Sequence, residues 1–142
     1  MTIGRRLGAL TAATAGLLTA IPFVTGAAAG AAEKTCWSIE PIELALEDVW
    51  SYTYQVSWCA EGAEIVSVDP VITHQVIAPV CSWVGSVEES VTKSPDGRAR
   101  TAFNLSEFFC PGDIGAKGVT PWAIVTLHPD GTYTVDATGI HP

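Results

Sequence analysis

The clearest pattern in the chain is an alternation of large apolar and small polar residues from Trp50 to Cys59. A period of two is typical of a half-buried β-strand, because successive side chains point to opposite faces of a sheet. One face of this strand carries a row of large side chains: Trp50, Tyr52, Tyr54, Val56 and Trp58. We favour a row that faces the core. The alternative is a surface on which a sugar ring or a proline-rich peptide stacks.

The end of the chain predicts a β-hairpin. Pro129-Asp130-Gly131 separates two strand-like stretches, 119–128 and 132–138. Proline presets the first turn position and glycine takes the left-handed one, so this triplet is typical of a tight hairpin turn. With His128 opposite Thr132, one face of the hairpin is apolar and the other mostly polar, as a half-buried antiparallel pair requires.

Pro95-Asp96-Gly97 repeats the same turn and predicts a second hairpin, with Ser94 opposite Arg98. This register makes 87, 89, 91 and 93 share a core face with 99, 101, 103 and 105. Glu89 then lies opposite Phe103, a flaw that a register slip or a bulge would remove.

The other strand candidates are shorter. Residues 36–40 predict a first strand, and 63–69 with 71–78 predict two short strands or one bent strand with a bulge. Residues 41–50 fit either a strand or a helical turn that begins at Pro41. With six to eight strands and no convincing long helix, the sequence predicts an all-β, small antiparallel β-sandwich, with a small β-barrel as the alternative.

The first 32 residues differ from the rest. Arg5 and Arg6 precede an apolar run from Leu7 to Val24, and small residues follow it up to Ala32. This order is typical of a secretory signal peptide, with cleavage after Ala29, Ala31 or Ala32. We therefore predict a signal peptide at 1–32, a single all-β domain at 33–142, and a secreted product with no membrane segment after cleavage.

Four cysteines lie in the predicted mature part: Cys36, Cys59, Cys81 and Cys110. Their even number, wide spacing and position behind an export signal predict two disulfides. A hairpin turn at Glu47-Asp48 would place Cys36 opposite Cys59, whereas a helical turn at 41–50 would break that register, so the connectivity stays open. We expect no metal and no cofactor, because the cysteines are not in close pairs and the histidines are scattered.

Charge narrows the choice of partners. Without Arg5 and Arg6, five basic residues remain against fifteen acidic ones, a formal net charge of −10. Such a chain repels phosphate backbones and anionic lipid, so we expect neither nucleic acid nor a membrane as a partner. An acidic surface by itself is more often a solvated face than a binding site.

No grouping of residues predicts catalysis, since the serines lack a nucleophile elbow and the histidines lack ordered partners. The sequence favours an exported, non-enzymatic binder or inhibitor of an extracellular protein. The candidate binding loop is the apolar stretch 77–84, which contains Pro79, Cys81 and Trp83. A loop that a cysteine cross-link holds in place loses little entropy on docking. The alternatives are a carbohydrate-binding or cell-envelope module that uses the aromatic row on a polysaccharide, and a small secreted hydrolase.

Overall fold

The computed structural model describes residues 30, 32–112 and 118–142. The predicted signal peptide lies, apart from Gly30 and Ala32, outside the described residues. Contacts along the chain separate Met1–Gly30 from a second unit, Ala31–Pro142, and the strands belong to the second unit. These strands are β1 (Lys34–Ser38), β2 (Ile42–Leu46), β3 (Trp50–Glu61), β4 (Glu64–Val76), β5 (Ser82–Lys93), β6 (Arg100–Phe109), β7 (Thr120–Leu127) and β8 (Tyr133–His141).

The strands form two antiparallel sheets that are not closed into a barrel, so the predicted β-sandwich is confirmed. In the first sheet β4 pairs with β3 along its whole length, and β1 and β2 pair one after the other with the opposite edge of β3. The second sheet has the order β5-β6-β7-β8. Edge strands β4 and β5 lie on the same side of the sandwich, where His74 of β4 stacks on Trp83 of β5.

The aromatic row of β3 fills the core between the sheets. Trp50, Tyr52, Tyr54 and Trp58 are each at most 1% exposed. Trp50 stacks on Phe108 with ring centroids 4.5 Å apart, and the indole N–H of Trp58 donates to the carbonyl of His128 at 2.9 Å. The stacking surface considered for these four rings is therefore wrong, because no ring face is open to a ligand.

The two disulfides are Cys36–Cys59 and Cys81–Cys110. Cys36 lies directly opposite Cys59, as the hairpin alternative predicted, but the turn differs from the predicted one. It takes in three residues, 47–49, since Leu46 pairs with Trp50, and a shift of one residue between β2 and β1 restores the opposition of the two cysteines. The helical alternative for 41–50 is wrong because β2 occupies most of that segment. We call Cys36–Cys59 the edge disulfide, since Cys36 is exposed on strand β1. We call Cys81–Cys110 the core disulfide, since both of its cysteines are buried. Two such cross-links indicate an extracellular or otherwise oxidising environment.

The last hairpin follows the prediction near its turn, where the amide of His128 donates to the carbonyl of Thr132. A bulge between Ile124 and Val125 shifts the pairing by one residue farther along. The segment 63–78 forms the single strand β4, whose bulge lies opposite Cys59 and Ala60, as one of the two alternatives predicted.

The predicted register of the β5–β6 hairpin is wrong by one residue. Ser94 pairs with Ala99 instead of Arg98, because its hydroxyl accepts the amide of Ala99 and the turn takes in four residues, Pro95–Arg98. A slip of one residue exchanges the two faces of a strand. Alternate β6 residues from Ala102 to Phe108 are buried, whereas Phe103 and Leu105 lie on the opposite face. Glu89 consequently lies opposite Asn104 instead of Phe103.

Candidate binding site

A cluster of polar side chains lies buried between β3 and β6. The hydroxyl of Tyr52 donates to Oδ1 of Asn104 at 2.9 Å, and the hydroxyl of Ser106 donates to the same oxygen at 2.7 Å. The amide nitrogen of Asn104 donates to Oγ of Ser86 on β5. Tyr52, Asn104 and Ser106 are fully buried. Buried polar groups are costly unless they are hydrogen-bonded, so this network fixes how the two sheets face each other.

Tyr54 adds a hydroxyl that has no hydrogen-bond partner among the described residues, although the side chain is fully buried. Its ring lies beside that of Tyr52, with centroids 6.5 Å apart and planes 16° from parallel. Burial and, to a smaller extent, the negative charge of Glu89 raise the pKa of Tyr54. The hydroxyl therefore stays protonated and keeps both its donor and its acceptor capacity.

Glu89 connects this buried cluster to solvent. Its side chain is exposed, yet Oε2 lies 3.5 Å from the amide nitrogen of Asn104. Within the described ranges the ion pair is Lys93 with Glu64 at 3.8 Å, and Glu89 has no cationic partner. Its neighbour Glu88 pairs opposite Leu105, on the solvent-facing side of the sheet. Glu89 thus lies at the edge of the core, whereas Glu88 does not.

Exposed aliphatic side chains are concentrated on the two edge strands β4 and β5 and on the turn between them. Among the described residues, seven of the twelve exposed large hydrophobic side chains lie on β4, β5 and the turn between them. We call this surface the β4–β5 side and define it by those seven residues: Val66, Val71, Ile77, Val80, Val84, Val87 and Val91. Val84 and Val87 are the extra, unpaired residues at the two bulges of β5. Bulges of this kind re-aim side chains and prevent a sheet edge from pairing with another strand.

The turn between β4 and β5 is held at several points. The amides of Ile77 and Ala78 both donate to the carbonyl of Val49, at 2.8 and 3.0 Å. The amide of Cys81 donates to the carbonyl of Ala78 at 3.0 Å, and the core disulfide fixes Cys81. Pro79 and Val80 are exposed at the tip of this tight turn. The backbone that presents these residues is therefore fixed before any partner arrives.

Trp83, the other candidate from the sequence, is only partly exposed. The His74 ring stacks on it with centroids 4.1 Å apart, and Phe108 contacts it edge to face. His74 therefore covers one ring face of Trp83, which packs between the edge strands β4 and β5.

The histidines lie at three separate places: His74 on β4, His128 before the last turn, and His141 beside Trp122. In the described part of the chain no histidine side chain hydrogen-bonds a serine or a carboxylate, and no three His, Cys, Asp or Glu residues cluster as metal ligands. Asp113 lies outside the described residues. No helix among the described residues could cross a membrane.

A groove of about 460 Å³ lies at the opposite end of the sandwich, between the two Pro-Asp-Gly turns. The hydroxyl of Ser94 and the amide of Arg98 lower the pKa of Asp96, and the hydroxyl and amide of Thr132 lower that of Asp130. These hydrogen bonds are local to each turn. Both carboxylates therefore stabilise the turns that contain them.

The sequence prediction missed the polar cluster. With 103 and 105 on the predicted core face, Asn104 was expected on the outer face of its strand, whereas it is fully buried. Side-chain size becomes a usable signal only once the register of β6 is known: the inward positions of β6 and β7 then include small residues such as Ala102 and Ala123. Small residues there leave room for tyrosine hydroxyls and their partners.

Comparisons with known proteins add little. No family model matches the chain, and no curated protein matches it. A solved structure of a hypothetical protein from Listeria monocytogenes is 16% identical and aligns over 78% of this chain and 73% of its own, with a TM-score of 0.34. A similarity this weak carries no information about function.

Proposed function

We propose that this protein is an exported, non-enzymatic binding protein that docks on another extracellular protein through the β4–β5 side. The observation that carries the proposal is the exposure of Ile77, Val80, Val84 and Val87, between 49% and 56%, on a fixed backbone. Exposed large aliphatic side chains concentrated on neighbouring elements are typical of interaction sites. The two disulfides support an extracellular setting.

Rigidity and burial both favour docking at this surface. Covering apolar area gains about 25 cal/mol for each Å² removed from water. A surface that is already fixed loses little conformational entropy on binding, so more of that gain appears as affinity. The turn at Pro79 is fixed by the core disulfide and by the carbonyl of Val49, which meets this condition.

The turn geometry favours a general binder over a protease inhibitor. A loop that enters a protease cleft as a substrate mimic needs several extended residues, whereas Ala78 and Cys81 are joined by a hydrogen bond that closes a four-residue turn. We expect a panel of secreted proteases to keep its activity in the presence of the protein. Loss of activity in one protease would select the inhibitor form.

Paired charge substitutions test the proposal. In the first variant Val84→Asp and Val87→Asp are combined, and the control is Val135→Asp on β8, the opposite edge of the second sheet, where the side chain is 44% exposed. Each protein is immobilised and offered the producer's culture medium, and its thermal unfolding is measured in parallel. We expect a protein that the wild type and the control retain and the double variant loses. Equal retention by all three would refute the proposal.

A further inference from the structure

Glu89 combines two features that rarely occur together. Its carboxylate contacts the buried amide of Asn104 and is also open to solvent, and no described cation neutralises it. A carboxylate in this position attracts a positive charge more strongly than one in bulk water, because the low-dielectric core beside it weakens screening. The remaining excess of acidic residues in the chain adds to the attraction.

The groups around Glu89 define what a cation would meet. Oδ1 of Asn104 already accepts two hydrogen bonds, from Tyr52 and Ser106, so it has no capacity left for a ligand. The hydroxyl of Tyr54 is fully buried and unpartnered in the described structure, and its oxygen is able to accept an N–H donor. Val91 shares the inward face of β5 with Glu89, so it offers apolar surface to an aliphatic stem.

A metal ion or an anion fits this surface less well than an organic cation. Within the described residues no three carboxylate, histidine or cysteine side chains converge, which disfavours a metal. Glu89 repels phosphate and carboxylate groups. A long side chain with a charged end matches an exposed carboxylate with Val91 beside it on the same strand face, because such side chains bury their stems along apolar surface.

We infer that the partner inserts a lysine or arginine side chain between β4 and β5, where Glu89 receives its charge and the oxygen of Tyr54 accepts one of its N–H groups. This inference rests on the proposed function and names the chemistry of the partner. Val91 packs against the stem of the inserted side chain, and the acidic protein favours a basic partner.

The test uses small probes, so it does not need the partner. N-acetyl-lysine methylamide and N-acetyl-arginine methylamide are titrated into the isotope-labelled protein, with uncharged N-acetyl-norleucine methylamide as the neutral control, and the amide resonances of Glu89 and Asn104 are followed. We expect shifts with the two cations only. In Glu89→Gln the affinity falls about tenfold, the size of one charge-assisted hydrogen bond, and in the matched control Glu88→Gln it does not change.

Tyr54→Phe adds a readout that a merely structural role would not change. Since the hydroxyl has no described partner, its removal leaves the protein at least as stable as the wild type, yet we expect weaker binding of both cations. Unchanged binding in Glu89→Gln or in Tyr54→Phe, or no response to either cation, overturns the inference. A culture-medium protein lost in the Val84/Val87 double variant but retained by Glu89→Gln would also overturn it, while the proposed function would stand.

Discussion

Replacement of Asn104 is the most informative test of the buried polar cluster. In Asn104→Ala the hydroxyls of Tyr52 and Ser106 lose their common acceptor while both remain fully buried. Each buried donor left without a partner costs about 1 to 3 kcal/mol, and the lost side-chain volume adds to that cost. We expect the free energy of unfolding to fall by about 3 to 5 kcal/mol, a large share of the total for a domain of this size.

Urea denaturation followed by tryptophan fluorescence measures this change, because Trp50 and Trp58 become exposed on unfolding. The same series should include Tyr52→Phe with Ser106→Ala, with and without Asn104→Ala. When both hydroxyls are absent, loss of Asn104 strands no donor, so the triple variant costs clearly less than the sum of its parts. Additive costs, or a loss below about 0.5 kcal/mol in Asn104→Ala, would refute the network as described.

Three further outcomes follow from the fold. Mild reductant followed by alkylation and mass spectrometry should label the edge disulfide before the core disulfide, because Cys36 is exposed; the reverse order would contradict the assigned burial. Gly139→Ala should lower the melting temperature, since an added Cβ would lie 2.8 Å from the Trp122 ring, at a cost of about 1 to 3 kcal/mol. An unchanged melting temperature would contradict this position of the Trp122 ring. The hydrogen bonds of its turn lower the pKa of Asp96. The ionised carboxylate therefore stabilises the fold fully above the unfolded-state pKa of about 4, and this contribution is lost as the pH falls through the lower pKa of the folded state. Acid titration of Asp96→Asn should therefore show a weaker loss of stability than wild type, and identical profiles would count against the hydrogen bond from Ser94.

The strands could be predicted because the residues that specify each of them are close together in the sequence. The period of two in β3, the Pro-Asp-Gly turns and a turn before Trp50 depend on neighbouring residues. The opposition of Cys36 and Cys59 also depends on a one-residue shift between β2 and β1, which local patterns do not predict. The sandwich class follows from the number of such strands.

Local sequence patterns did not predict which face of β6 is buried. Turn length depends on one hydroxyl, that of Ser94, which bonds to the amide of Ala99, and a one-residue change exchanges every inward and outward side chain. Because Phe103 and Leu105 are apolar and Asn104 is polar, the sequence pattern indicated the solvent-facing side of β6 as its core side. The polar cluster could not be predicted without that register.

The candidate site was predicted only in part. Pro79 on the stretch 77–84 is exposed on a fixed turn, as the loop hypothesis requires, whereas Trp83 on the same stretch is covered by His74. Glu89 lies opposite Phe103 in the predicted register, and its contact with Asn104 depends on the length of the Ser94–Ala99 turn, because the pairing runs without a shift from that turn to Glu88. One additional residue in the turn therefore determines the position of Glu89.

Site-specific photocrosslinking tests the central claim most directly. A photoreactive amino acid is placed at position 87 of the β4–β5 side, or at position 135 on β8 as the control, and each protein is irradiated in the producer's culture medium. We predict that position 87 crosslinks to one extracellular protein, through a segment that contains a lysine or arginine, and that position 135 does not. Crosslinking from position 135 alone, or from neither position, would contradict the account.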